Sequence, residues 1–333
     1  MGHRKHSAPR RGSLAYLPRG RARSFESRIR TWPSVNNEKP VLLGFAGFKA
    51  ANIHVITIDD REKTPNFGKP LLNAATVIST PPVKIIGFRG YSKTYYGFRS
   101  VFDVFAPELP KEMARKFRVK QVSFESALNK AQEKLDEVSV LMAIAAVIPR
   151  DAGLSQKKPF VFEVGVGGGD IKARFEYLRS LLGREIKFKD LFQVGSYVDV
   201  SAITKGKGVE GPVTRWGVKR KQHKSRKTVR AVATLGPISP AVVMYTVPRA
   251  GQRGLHQRLE YNKRILVIGN ASAKEQNFTP AGGFLHFGLV KGDYAVVKGS
   301  VPGTVKRLIK IRYPIRAKIE KIVEPKIVEV VAR

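Results

Sequence analysis

The sequence predicts an α+β protein, mainly β: a barrel made from two separated blocks of strands, carrying an inserted α/β segment and long basic extensions. Three observations predict it. Short β-branched runs with alternating polarity cluster in residues 40–104 and again in 261–333. Helical periodicities appear only between them, in 105–190. Two stretches are dense in Lys and Arg, 1–39, whose first thirty residues show neither period, and 204–260. Residues 191–203 supply one further strand to the barrel. Strand blocks on both sides of an insertion suggest one barrel whose halves close across it.

In the first block Val41–Phe45, Ile53–Ile58, Ala75–Ser79 and Val83–Phe88 read as strands, with Gly, Pro or Asn between them. Asp59-Asp60-Arg61-Glu62 reads as a turn. Within the insertion, Ser123 stands at the start of a helix whose apolar positions Leu128, Ala131, Leu135 and Val138 recur at helical spacing. The nearly apolar run Val138–Ile148 and then Phe160–Val164 read as buried strands. A glycine run follows. Asp170 opens a second helix, with Ile171, Phe175, Leu178 and Leu182 on one face and Gly183 ending it. After the insertion, Tyr197–Ile203 and Ala241–Val247 have strand character, whereas Pro248–Lys263 reads as a polar connection. The last block holds Arg264–Gly269, Asp293–Lys298, Val305–Ile311, Lys318–Val323 and Ile327–Val331.

Charge decides the class of partner. The chain has 61 Lys and Arg against 26 Asp and Glu, a net charge of +35. If every acid paired with a base, a large positive excess would still lack an internal partner, which is the electrostatic footprint of a polyanion-binding protein. A solvated surface needs a net charge of only roughly 2–8 for solubility in a small domain. No apolar run approaches the roughly 20 residues that span a bilayer, and no apolar segment follows the basic N-terminus as in a secretory signal. A soluble, intracellular protein with no membrane partner is expected. There is no cysteine, so no disulfide and no thiolate metal site.

The excess is concentrated. Residues 1–30 carry Arg4, Lys5, Arg10, Arg11, Arg19, Arg21 and Arg23 among their bases, with Glu26 their single acid. Backbone ordering costs roughly 1–2 kcal/mol per residue, so a segment this poor in apolar side chains should order only against a partner. The central stretch begins with Lys205-Gly206-Lys207-Gly208 and Arg215-Trp216-Gly217. Lys219, Arg220, Lys221, His223, Lys224, Arg226, Lys227 and Arg230 follow, and Arg249, Gln252, Arg253, His256 and Arg258 complete it. Lys and Arg neutralise phosphates, while Trp, His and Arg planes can stack on unpaired bases. Trp216 is equally open to ordinary packing at the base of the loop. A long basic loop of this kind fits insertion into folded RNA, where it releases condensed counterions. A general nucleic-acid-compacting protein is a second basic alternative.

One motif points toward an enzyme. Glu163-Val164-Gly165-Val166-Gly167-Gly168-Gly169 lies between a strand and a helix, as in adenosylmethionine-dependent methyltransferases, so an RNA methyltransferase is the alternative reading. The rest of the chain lacks the strand–helix alternation such a cofactor fold needs, and a plain connecting turn is favoured. The histidines are scattered, with His3 and His6 in the basic arm, so no metal site is expected. No catalytic residue, cofactor or small-molecule substrate is expected either.

Several ordered motifs resemble the universal large-subunit ribosomal protein L three family, archaeal type. They are Thr204-Lys205-Gly206-Lys207-Gly208 with Val213-Thr214-Arg215-Trp216-Gly217, Val247–Gly254 with His256-Gln257-Arg258, Thr279–Gly288 and Val297–Gly303. The N-terminal His3–Ser13 is similar to the archaeal and eukaryotic branch. The resemblance implies a translation-protein-type (SH3-like) β-barrel with an α/β insertion, located in the cytoplasmic ribosome. It implies binding to large-subunit (23S) rRNA, contact with neighbouring large-subunit ribosomal proteins, and help in nucleating subunit assembly. It also implies a basic loop directed toward the peptidyl transferase centre, whose tip here is Gly236, Pro237 and Ile238. The family usually places a Trp at that tip, and Ile238 occupies the position here.

Overall fold

The computed structural model describes residues 11–35, 37–116, 123–225, 228–232, 234–273, 278–317 and 322–331. In chain order the first elements are β1 (Val41–Leu42), β2 (Gly44–Ile58), β3 (Pro70–Ser79), β4 (Val83–Thr94) and β5 (Gly97–Phe105). Then come α1 (Phe124–Glu133), β6 (Val140–Val147), β7 (Phe160–Gly167), α2 (Ile171–Leu181), β8 (Glu185–Ile186) and β9 (Tyr197–Ile203). The chain continues with β10 (Gly206–Glu210), α3 (Pro212–Trp216), β11 (Gly251–Gly254) and β12 (Gln257–Asn270), and ends with β13 (Asp293–Lys298), β14 (Leu308–Arg312) and β15 (Ile327–Val331). The protein is α+β and mainly β, and it divides into two compact units, 25–202 with 258–333 and the described part of 1–24 with 203–257.

The larger unit contains two sheets. One has the order β14-β9-β12-β13-β3-β2-β15, and β14 also pairs with β2, so six strands close into a ring with β15 added beside β2. Closure requires β2 to serve neighbours on both edges. Its first half does so: Phe45 and Ala46 pair with Ile311 and Lys310, and Phe48 pairs with Ser79 as well as Leu308. Gly44 to Ala51 are buried without a break, because both faces there meet protein rather than water. The second sheet has the order β1-β7-β6-β4-β5, with β8 also on β4.

The first helix of this unit ends at Glu133, so Leu135 lies in a following 3-10 turn and Val138 is extended, both beyond the helical face expected for them. The remaining apolar positions follow the pattern. Leu128 and Ala131 of α1 are buried, as are Phe175 and Leu178 of α2. Phe175 meets Phe88 of β4 edge to face at 5.4 Å, and Phe45 meets Phe188 at 5.3 Å. Such pairs contribute roughly 0.5–1.5 kcal/mol beyond their buried area. Ser123 and Asp170 occupy the two N-cap positions without a side-chain cap bond. Gly183, at φ +77°, follows α2 as expected.

Several expectations need correction. Val41–Phe45 and Ile53–Ile58 are not two strands joined by a turn. The chain breaks at Leu43, and Gly44–Ile58 is continuous because a bulge between Lys49 and Ala51 absorbs the change of phase. Ala241–Val247 is not a strand: it finds no ladder partner, and Val242, Met244 and Tyr245 are exposed. Pro248–Lys263 is not an irregular connection, since it carries β11 and the start of β12. Ile322 and Val323 are not in a strand, and residues 318–321 of that expected element lie outside the described residues.

A buried ion pair sits within the ringed sheet. Asp199 of β9 and Arg312 of β14 are 0% and 1% exposed as side chains and meet at 3.0 Å. Asp199 also accepts the backbone N–H groups of Asn262 and Ile315, and Arg312 donates to the Thr31 hydroxyl at 3.1 Å. Every charge is thus multiply bonded, the condition under which a buried pair persists. Lys310, two residues before Arg312 on the same strand, has no carboxylate partner among the described residues. Its ammonium lies over the Phe162 ring at 4.9 Å, and burial pushes its pKa down to about 8.

Candidate nucleic-acid interface

The smaller unit is built on little apolar material. Ile203 and Trp216 are its buried apolar side chains among the described residues. β10 and β11 form a two-stranded antiparallel ladder in which Gly206 faces Gly254 and Glu210 faces Gly251, with a bulge between Gly206 and Val209. Glycine is required at 254: its φ is +71°, and a Cβ there would lie 2.0 Å from the Lys205 carbonyl oxygen.

Trp216 ends the short helix α3, which opens on Pro212 and closes on Gly217 at φ +69°. The indole is 5% exposed. Its Nε1–H donates to the Arg249 carbonyl at 3.1 Å, and the Arg19 guanidinium lies 3.8 Å from the ring centre. Gly12 makes room for that ring, since a Cβ at this position would approach Trp216 to 2.6 Å. Arg19 also donates to the carbonyls of Arg215 and Ser13. Trp216 therefore packs the arm against the base of the loop. Its ring is buried within the unit, which is the packing role the sequence also leaves open.

Other residues expected to contact RNA also have partners within the unit. Arg215 donates to the carbonyls of Gln252 and Arg249 at 3.0 and 3.1 Å. The Gln252 amide donates to the carbonyls of Arg253 and Gly254. Arg253 pairs with Glu210 at 2.8 Å. His256 Nδ1 lies 2.8 Å from the Gly20 carbonyl oxygen, and its backbone N–H bonds the Thr204 hydroxyl. These side chains hold carbonyl groups that a loop without a core would otherwise leave without partners. Arg258 is half-buried on β12.

A second set is open to solvent. Arg11, Arg21, Arg23, Lys205, Lys207, Lys219, Arg220, His223, Lys224, Arg230 and Arg249 are all exposed, and Lys221 is half-buried. Among the described residues, none of the Lys and Arg in this set forms an ion pair. Arg4, Lys5, Arg10, Arg226 and Lys227 lie outside the described residues, as do His3 and His6. Gly236, Pro237 and Ile238 are exposed, Ile238 at 96%, and Leu235, Val242 and Tyr245 continue an apolar surface beside them. Several apolar side chains at and near the tip are therefore exposed.

The glycine run in the larger unit is occupied by the chain itself. Cβ atoms at Gly165 and Gly168 would lie 2.6 Å from the Trp32 ring and 2.5 Å from the Lys39 carbonyl oxygen. Gly169 N–H donates to the Asn37 carbonyl, and Arg174 to that of Gly168. Trp32 and Asn37-Glu38-Lys39 thus lie where a cofactor would need the glycine backbone, so the methyltransferase reading loses its binding site. No group of His, Asp and Glu able to hold a metal occurs among the described residues.

Sequence comparisons agree with the resemblance. The family model described as ribosomal protein L3 matches residues 1–331. The large ribosomal subunit protein uL3 of Caldivirga maquilingensis is 45% identical over 326 residues, covering 95% of this chain and 92% of its own. Those of Pyrobaculum islandicum and Methanococcoides burtonii are 43% and 42% identical, covering 97% and 99% of this chain and 96% and 97% of their own. The match is collinear and nearly complete at both ends, so the chain belongs to the ribosomal protein L3 family.

Proposed function

We propose that this chain is a non-catalytic structural constituent of the large ribosomal subunit in the cytoplasm, where it binds large-subunit rRNA. One observation carries the reading: among the described residues, the arm and central loop present exposed cations such as Arg21, Lys207, Lys219 and Arg230 that form no ion pair, on a unit with almost no apolar core. Such a surface is stabilised by phosphates and by the release of their counterions. The ring of six strands corresponds to a translation-protein-type, SH3-like barrel, and the second sheet with α1 and α2 to its inserted α/β subdomain. The barrel serves as the rigid base, neighbouring large-subunit proteins contact it, and binding helps nucleate subunit assembly. The loop from Gly217 to Arg249 extends toward the peptidyl transferase centre, with Gly236, Pro237 and Ile238 at its tip.

The test is the salt dependence of binding to protein-free large-subunit rRNA, with random single-stranded and duplex RNA as controls. About ten neutralised phosphates give a log–log slope of roughly −7 to −9. Binding to rRNA should persist at salt that releases both controls, and deletion of 205–230 should abolish that difference. Release of all three RNAs together would instead mark a general compacting protein.

A further inference from the structure

Away from the basic loop, the larger unit has a cavity of about 350 Å³ whose lining includes Arg28, Arg30, Trp32, Tyr91, Phe98 and Glu163. This is within the roughly 300–1,000 Å³ of small-ligand sites. Arg28 and Arg30 belong to the basic arm, and Trp32, Tyr91, Phe98 and Glu163 have no part in the contacts proposed above. Trp32 is fixed by two glycines, since Cβ atoms at Gly44 or Gly165 would collide with its ring at 2.8 and 2.6 Å. Tyr91 and Phe98 stand edge to face at 6.4 Å across the β4–β5 hairpin. The site therefore has aromatic walls, and Arg28 and Arg30 are exposed beside them.

Glu163 supplies the polar recognition. Its Oε1 accepts from the Tyr91 hydroxyl at 2.5 Å and from Arg89 at 3.2 Å, which fixes the carboxylate plane. Those two bonds saturate one oxygen and leave the acceptor positions of Oε2 for a ligand. Base chemistry then discriminates. Guanine carries two adjacent donors, N1–H and the N2 amine, with no acceptor between them. Adenine and cytosine set a ring acceptor beside their amine, and uracil flanks its single N–H with two carbonyls, so each would turn a lone pair toward the carboxylate. Unpaired bases in RNA are recognised by this combination of stacking and edge hydrogen bonding.

We infer that this cavity is a binding site for a single unpaired guanine of RNA, stacked among Trp32, Tyr91 and Phe98, read by Glu163 and with its phosphates held by Arg28 and Arg30. The inference rests on the reading that the partner is RNA, but its failure is separable, because rRNA binding through the basic loop does not require the cavity.

The experiment uses the full chain and short oligouridylates carrying one central guanosine, inosine, adenosine or cytidine. Salt is set so that unsubstituted oligouridylate is released. Guanosine should bind about tenfold more tightly than inosine, which lacks the N2 amine and so loses one hydrogen bond to a charged group. A photoreactive 6-thioguanosine at the same position should cross-link to peptides containing Trp32, Tyr91 or Phe98. In Glu163→Gln the amide oxygen can keep the Tyr91 and Arg89 bonds while its NH₂ replaces Oε2. The guanosine preference should disappear, and adenosine or cytidine should bind at least as well. Phe98→Ala, at an exposed hairpin position, should weaken all four oligonucleotides without changing their order, with circular dichroism confirming the fold. Equal binding of guanosine and inosine by the unaltered protein, or cross-links confined to 204–260, would overturn the inference while leaving the rRNA salt experiment unaffected.

Discussion

Replacing Trp216 by Ala should disorder the smaller unit while leaving the larger one folded. The indole is one of two buried apolar side chains among the described residues of that unit. It bonds the Arg249 carbonyl and carries the Arg19 guanidinium on its face. Truncation of a buried Trp costs roughly 3–5 kcal/mol, and the lost hydrogen bond adds about 1 kcal/mol. A two-stranded ladder is at best marginally stable by itself, so β10 and β11 cannot absorb such a loss. Native-state hydrogen exchange provides the assay. The Ala22 amide, bonded to the Leu255 carbonyl, and the Leu255 amide, bonded to that of Lys205, report directly on this packing. Both should lose protection in Trp216→Ala, whereas amides in the ladder between β2 and β3 should not change. Trp216→Phe, which keeps an aromatic face but loses the N–H, should fall between the two. Unchanged protection at Ala22 and Leu255, accompanied by weaker RNA binding, would refute the packing role and restore Trp216 as a stacking residue.

Two predictions concern charges buried in the ringed sheet. Asp199→Ala should destabilise the larger unit by about 3–5 kcal/mol, since it leaves the Arg312 guanidinium buried and without its partner. A denaturation midpoint unchanged by this substitution would show that the pair is not coupled to folding. Lys310 predicts the opposite sign. Burial holds its folded-state pKa at about 8, below the ordinary value of 10.5, so the native state releases its proton first. The penalty is therefore constant below pH 8 and is relieved as pH rises toward 10.5. At neutral pH it amounts to about 3 kcal/mol. Lys310→Met should be more stable at pH 7 and should show a smaller rise than the unaltered protein between pH 8 and 9.5, the remainder coming from Lys298, whose pKa burial also lowers. Burial raises the Tyr91, Tyr177, Tyr294 and Tyr313 hydroxyls above their usual range, so they remain protonated over this interval. Parallel urea midpoints for the two proteins across that window would contradict the assignment.

Much of the architecture could be read locally. Asp293–Lys298 and Ile327–Val331 are strands with the limits their alternation predicts, and α2 buries the face marked by Phe175 and Leu178. Misreadings arose where a neighbour, rather than the residue's own pattern, decided the outcome. Gly44–Ile58 continues through a polar and glycine-containing stretch because it pairs on both edges. Ala241–Val247 has β-branched side chains but no strand to pair with, and intrinsic preference alone does not make a strand.

The candidate interface divides in the same way. Composition alone predicted a polyanion as partner and located where the cations are concentrated, because net charge is a sum over residues that folding does not change. The ordered motifs placed it in its family. Sequence could not separate cations that meet a partner from those that hold the loop together. Arg19 meets Trp216 across nearly two hundred residues, and Arg215 reaches the Arg249 and Gln252 carbonyls. Likewise the glycines after Glu163 have the spacing of a cofactor loop, yet they accommodate Trp32 and Lys39. Only the tertiary structure decides such questions. Whether a buried group faces a ligand or its own chain depends on contacts between distant segments, and these leave no period in the local sequence.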